Sequence, residues 1–474
     1  MKKELSIGMS VIPILALIIS AALSIFIWKA GMHIPLMIGV ILAAIVAKVC
    51  GWSWDEIQNM MVQGVARALP AVFILLIIGM IVGSWIASGV IPTIIYYGLS
   101  IIKPELFVPI VALVTGIVSV TLGSSFISIA TIGLAFMVIG EGLGFPPGLV
   151  AGAVISGAYF GDKLSPVSDT TNIAPAMADT DLFSHIKHML WDTLPAYFLS
   201  ILMYWIVSNS GATSVGADAN VIDMIKVGLN DVFLIHPLLL LMPVLTIILM
   251  ILRIPAIPAL MSVSLLGGVL AVFVQGASVS SIIQVMTNGY SADSGVAALD
   301  SLLNNGGMMS MLGTIALLII ATALGGILEE TGSFEILTRK MMAKVKSAGT
   351  LISSTILSTF VVAFASGAQF LAIILPARTF VKKYKEMGID TKNLSRCVEA
   401  AGTVGINLVP WSVPAVFAMS ILGVSPGEFI PYAFFVFLVP LINILFGFTD
   451  WTISKKNYHE EDKRILKNRG EILQ

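Results

Sequence analysis

Residues 157–175 read GAYFGDKLSPVSDTTNIAP, inside an apolar segment, 148–180, that is long enough to cross a bilayer. The segment nevertheless carries Asp162, Lys163 and Asp169, flanked by Ser165, Ser168, Thr170, Thr171 and Asn172, with Pro166 to break the helix. A charged side chain at the bilayer centre costs several kcal/mol, so acids at that depth mark a functional site. Irregular backbone survives there only where protein or a water-filled cavity encloses it. A helix broken in mid-membrane presents carbonyls at the end of its first half and amides at the start of its second, with opposite partial charges. The first half is expected to end near Gly161 and the second to begin at Ser168 or Asp169, residue types that suit N-caps. Carbonyl, hydroxyl and carboxylate oxygens are what a hard cation takes as ligands. The stretch therefore reads as the cation and proton site of a secondary transporter.

Composition agrees with that setting. Of 474 residues, 57% are hydrophobic and only 11% charged, where soluble domains carry about 25%. This is the composition of an integral membrane protein. The net charge of −1 gives no sign of a nucleic-acid partner. The two cysteines, Cys50 and Cys397, fall near expected cytoplasmic helix ends, so neither a disulfide nor a metal site is expected. No phosphate loop, zincin motif or glycine-flanked nucleophile occurs, which argues against an enzyme and against a cofactor. Lys2 and Lys3 precede an apolar run, Ile7 to Trp28, that resembles a signal peptide but is long enough to be retained as a first span.

Apolar runs of spanning length occur near 10–28, 33–50, 68–91, 148–180, 190–208, 232–252, 255–275, 311–328, 394–420 and 430–449. Two longer stretches, 107–138 and 350–378, are interrupted by Gly123, Ser124 and Ser125 and by Ser366, Gly367, Ala368 and Gln369. Basic residues favour cytoplasmic loops. Arg339, Lys340, Lys344 and Lys346 precede the second stretch, and Arg378, Lys382, Lys383 and Lys385 follow it, so it enters and leaves on one side as a re-entrant hairpin. Loops 51–67 and 181–189 come out inside and the Lys- and Arg-free loop 276–310 outside. The layout is ten crossings and two hairpins, with both termini cytoplasmic in a bacterial inner membrane.

A shift of 244 residues pairs Thr115 with Thr359, Gly123 with Gly367, Gly161 with Gly405, Pro166 with Pro410 and Ser168 with Ser412. The expected fold class is therefore an all-α polytopic membrane protein of two repeats, 1–210 and 232–454, each with five transmembrane helices, a re-entrant hairpin and one broken helix (148–180 and 394–420). An extracellular linker, 211–231, joins them, and a basic cytoplasmic tail, 455–474, follows. Five crossings is an odd number, so the second repeat is inverted, a transporter plan in which the ligand lies where the repeats meet.

Within the site, Asp169 is the first choice for a carboxylate shared by sodium and proton, and Asp162 the second. Lys163 reads as the ion-pair partner of Asp162, as a competitor of the cation, or as an attractor of an anionic substrate. Gly123, Ser124 and Ser125 at the first hairpin tip add hydroxyls and carbonyls. In the second half Asp162, Lys163 and Asp169 correspond to Ile406, Asn407 and Val413, so one charged cation site per chain is expected. Gln369, Asn407, Trp411 and Ser412 either shape an organic-substrate pocket or satisfy broken backbone. Glu399, one turn after Arg396, reads as half of a salt bridge near the surface. His185 and His188 read as solvated loop residues, and Glu141 and Glu329 as water-facing span ends.

The string GAYFGDKLSPVSDTTNIAP resembles the signature of the NhaC-type sodium/proton antiporter family, which runs through similar GDKLSP and SDTTN segments. The resemblance implies the inverted-repeat fold of the wider ion transporter superfamily, built as a homodimer with a scaffold and a mobile transport part. Carried over by motif, the functional positions are Asp162, Ser165, Ser168, Asp169, Thr170, Thr171 and Asn172, with sodium and protons as the transported ions. The family includes members that exchange malate for lactate together with those ions. In that alternative Lys163, Asn407 and the opposed half-helix amides would hold a small carboxylate.

Overall fold

The computed structural model describes residues 5–28, 30–101, 104–166, 168–210, 219–252, 254–293, 299–300, 303–304, 306–342, 345–456 and 458. Among them the architecture is helical, and the one bridge between extended segments joins Ile389 to Lys455. Six helices have the length and hydropathy to cross a membrane, and ten spans result if each bent pair is counted as one. The protein is thus a polytopic, all-α membrane protein.

Two interruptions in each half position the site. The Pro104–Leu122 helix stops at Gly123, whose φ of 67° is a left-handed conformation that costs glycine little, and Ser124 caps the helix that follows. The Ala348–Ser366 helix stops in the same way at Gly367, with φ 63°, before the Gln369–Glu386 helix. The first broken helix consists of Pro147–Leu164 and Asp169–Met177, with Ser168 accepting a hydrogen bond from the Thr171 amide as N-cap. In the second, Thr391–Leu408 and Val413–Leu422 meet at 47°, and Ser412 accepts from the Ala415 amide. The 244-residue shift carries Pro147 onto Thr391, Leu164 onto Leu408, Ser168 onto Ser412 and Asp169 onto Val413, so the two halves start and break at corresponding residues. They differ inside: after Glu399 the second changes to a π turn, Ala400–Val404, and a 3-10 turn, Gly405–Leu408.

Several connections carry more structure than composition suggests. Residues 51–67 contain the Trp54–Ala66 helix, started by a capping box between Ser53 and Glu56. The 276–310 segment contains the Val279–Asn288 helix. Of the expected linker, 211–218 lies outside the described residues and Ala219–Val232 is a helix. The 232–252 run is not straight. It turns by 97° between Val232 and Pro237, because a residue before proline is driven out of the helical region. Residues 181–189 are not a loop but the first turns of the Leu182–Asn209 helix, capped by Asp181. Most of the basic tail, including 459–474, lies outside the described residues.

Glycine lets the site's supporting helix approach its neighbour. A Cβ on Gly157 would meet the Ala112 carbonyl and Thr115, and one on Gly161 would meet Ser119 and Val120, all on the Pro104–Leu122 helix. Close approach through small residues is how helices pack where lipid gives no hydrophobic drive between them. Gly157→Val is expected to destabilise the fold by about 1–3 kcal/mol, as overpacking does. Gly427→Ala, with nothing within 4 Å of the added carbon, should leave stability unchanged. Thermal unfolding of the two purified variants in detergent checks both.

Candidate ion-binding site

Asp162 lies on the last turn of the Pro147–Leu164 half-helix and is 5% exposed. Its Oδ1 accepts from Ser168 Oγ and its Oδ2 from Ser125 Oγ, each at 2.6 Å. One carboxylate thereby joins the half-helix end, the break and the first hairpin tip. The broken backbone is satisfied locally. Thr171 Oγ1 donates to the carbonyls of Asp162 and Lys163 at 2.9 and 3.2 Å, and Asn172 Nδ2 donates to those of Pro166 and Ser168 at 2.8 and 2.7 Å. Thr170 Oγ1 lies 3.1 Å from Ser168 Oγ. Among the described residues, Ser165 Oγ, Tyr159 Oη and Asn407 Oδ1 are buried without a hydrogen-bond partner, Tyr159 standing beside Ser125, Asp162 and Asn407. Buried oxygens of this kind are spare ligands for a cation.

Asp169 is exposed, on the wall of a cavity of about 1250 Å³ lined also by Gly123, Ser124, Pro166 and Gln369. Arg67 and Glu329 also line this vestibule, paired at 2.6 Å, so Glu329 is not simply turned to water. The two acids of the motif therefore occupy different depths, with Asp169 at the wall and Asp162 behind it.

Lys163 does not pair with Asp162. Consecutive helical residues point about 100° apart, and Lys163 faces the Leu182–Asn209 helix instead. There its Nζ meets Asp192 Oδ2 at 3.1 Å and Oδ1 at 3.4 Å, with both side chains fully buried. Asn443 Nδ2 donates to Asp192 Oδ2 at 2.6 Å and Thr193 Oγ1 to Oδ1 at 3.1 Å. Asp192 was not singled out in the sequence. Its signal was an acid at the start of an otherwise apolar run.

In the second half, polar side chains serve the broken backbone. Asn407 Nδ2 donates to the Val404 carbonyl at 3.0 Å, Trp411 Nε1 to Phe364 at 2.7 Å, Ser412 Oγ to Ile406 at 2.9 Å and Gln369 Nε2 to Thr403 at 3.4 Å. Two other expectations are corrected. Arg396 and Glu399 form no surface salt bridge. Both are fully buried, and Arg396 Nη1 donates to Thr452 Oγ1 at 3.1 Å while its guanidinium lies over Phe446. The reason is that helices cover the Thr391–Glu399 segment on several sides and the chain after the last span covers its end. His185 and His188 are buried rather than solvated. They reach across to the second broken helix, with His185 Nδ1 2.8 Å from Ser395 Oγ and His188 Nε2 3.1 Å from Asn393 Oδ1.

A polytopic helical protein with two matched breaks, a buried acid at one of them and a large cavity lined by neighbouring residues of the same break has the features of a membrane transporter. Residues 157–451 match the Na+/H+ antiporter family, and the chain belongs to that family. It is 38% identical over 457 residues to the Na(+)/H(+) antiporter NhaC of Alkalihalophilus pseudofirmus, covering 96% of this chain and 98% of that protein. To the malate-2H(+)/Na(+)-lactate antiporter of Bacillus subtilis it is 36% identical over 400 residues, 84% of this chain and 85% of the other. The Na(+)/H(+) antiporter NhaC of Bacillus subtilis is 34% identical over 445 residues, with 94% and 97% covered.

The Lys163–Asp192 pair generates a stability prediction. Breaking a buried pair from one side leaves an uncompensated charge and costs about 3–5 kcal/mol, whereas replacing both partners with apolar residues is much milder. Asp192→Ala should therefore lower the thermal midpoint of the purified protein more than the double variant Lys163→Met with Asp192→Leu.

Proposed function

We propose that the protein exchanges sodium for protons across a bacterial inner membrane, with Asp162 as the carboxylate that takes sodium or a proton in turn. The observation that carries this is the position of Asp162: buried, at the end of a half-helix, bonded by Ser125 and Ser168 and paired with no basic residue among those described. A carboxylate held there must be neutralised. A proton does so directly. Sodium does so as a hard cation, with the Ser125, Ser165, Ser168 and Tyr159 oxygens and the carbonyls at the break as further ligands. Either ion uses the same negative charge, so binding of one lowers affinity for the other. Asp169, on the vestibule wall, concentrates cations in front of the site, and Gly123 and Ser124 shape the tip through which they pass.

Exchange further requires that the site open to each face in alternation. The matched breaks under the 244-residue shift support two repeats, 1–210 and 232–454, arranged in inverted orientation with both termini cytoplasmic, and the family resemblance supports a homodimer. The second reading, exchange of a small carboxylate coupled to these ions, is favoured by the malate-2H(+)/Na(+)-lactate relative and by a vestibule large enough for an organic acid. Against it, Lys163 is occupied by Asp192, and the Arg67 guanidinium that lines the vestibule is paired with Glu329.

Purified protein in proteoliposomes should show sodium-dependent proton movement without any organic acid, and an absolute requirement for malate or lactate would establish the second reading instead. Asp162→Asn should abolish the exchange in protein that still folds, and normal exchange by that variant would remove Asp162 from its role. Ser125→Ala and Ser168→Ala each delete a hydrogen bond to a charged group, worth about 1.5–3 kcal/mol. Each should raise the sodium concentration for half-maximal exchange by roughly tenfold or more.

A further inference from the structure

Glu399 is fully buried, and among the described residues neither of its carboxylate oxygens has a hydrogen-bond partner. Removing an isolated ionised carboxylate from water is so costly that such a group takes up a proton unless a bonded opposite charge holds it. Among the described residues no such charge is bonded to it. Arg396, on the same turn, is directed at Thr452 and Phe446, and Lys163 is bonded to Asp192.

The groups facing Glu399 come from several elements. Lys163 and Asp162 belong to the first half-helix, Thr170 to the segment after the break and Thr403 to the π turn, the two hydroxyls standing near without closing a hydrogen bond. Around the two cations, the Leu182–Asn209 helix sets Asp192 and His185 beside Lys163, the Gln369–Glu386 helix sets Tyr384 near Arg396, and Asn443 of the last span bonds Asp192. Glu399 therefore sits where acids from the two halves of the chain sense each other.

The charge count of this enclosure depends on Asp162 and Glu399. Lys163 and Arg396 supply two positive charges and Asp192 one negative. With Asp162 and Glu399 both protonated, one positive charge is left over. A sodium ion that replaces the proton of Asp162 leaves that excess unchanged, and loss of the Glu399 proton then brings the enclosure to neutrality.

We infer that Glu399 is a second proton-carrying carboxylate of the transport site, contributed by the second half of the chain, and that it gives up its proton when sodium binds at Asp162. This rests on the exchange reading above and extends it, because each sodium then displaces one proton more than Asp162 alone would release. The place of Glu399 at the start of the Ala400–Val404 π turn fits that role, since π turns within helices recur at functional sites.

Infrared difference spectra of the purified protein in lipid, with and without sodium, test the inference. In the wild type, sodium should remove carboxylic-acid carbonyl intensity from both Asp162 and Glu399. The Glu399 part should be absent from Glu399→Gln and displaced in Glu399→Asp. In proteoliposomes, Glu399→Gln should still exchange, with one proton fewer per sodium at the balance point of the two gradients. A sodium-induced spectrum in Glu399→Gln identical to that of the wild type, or an unchanged coupling ratio, overturns the assignment. If Glu399→Gln fails to fold, an undisplaced band in Glu399→Asp overturns it equally. The Asp162→Asn variant separates the two readings. Loss of the sodium-induced change there, with the Glu399 band retained, supports both, whereas a normal sodium response would sink the role of Asp162 and leave Glu399 to be judged by its own variants.

Discussion

A charge held in a low-dielectric interior must be answered by another charge or by a proton, and this demand organises the middle of the molecule. Lys163 and Asp162 are neighbours in the chain, yet helix geometry turns them about 100° apart and each meets a different answer. Lys163 is closed off by Asp192, which Asn443 and Thr193 hold in place. Asp162 receives only hydroxyls, from Ser125 and Ser168. One residue is therefore a fixed structural charge, and its neighbour has no charged partner among the described residues, as the proposed exchange requires. Had Lys163 turned toward Asp162, the acid would be neutralised permanently and no ion could take its place.

The breaks in the two halves are alike in geometry and unlike in chemistry. Ser168 and Ser412 both cap the segment after the break, and Gly123 and Gly367 both turn the chain in the left-handed region. The first break nevertheless carries acids. In the second, Ile406 and Val413 stand at the corresponding places, and Asn407, Trp411 and Ser412 close the carbonyls left open. The second half supplies its acid from another position, Glu399, a residue earlier than the π turn. In the proposed account, the two halves thus contribute to one centre.

Much of this was legible in the chain. Pro166 and the run of Ser, Asp and Thr after it marked the break and its N-cap, and the interrupted stretches marked the glycine turns. These are local signals, written within a few residues. What escaped depends on distant partners. The bonds Asn443–Asp192 and His185–Ser395 join residues 251 and 210 positions apart, and no periodicity announces them. By sequence alone Glu399 lies near the surface, because its apolar run, 394–420, begins only a few residues earlier. The structure begins that helix at Thr391 and covers it with neighbouring helices and with the chain around Thr452 and Ser454, so depth along the sequence misjudged depth in the protein.

The central claim is that sodium and protons answer the same buried negative charge. The most direct test adds sodium to purified protein in weakly buffered detergent solution and follows pH with an indicator dye, alongside the amount of sodium bound. The account predicts proton release that saturates together with sodium binding and is not elicited by an equal concentration of a large organic cation. Sodium binding with no accompanying proton release would contradict it.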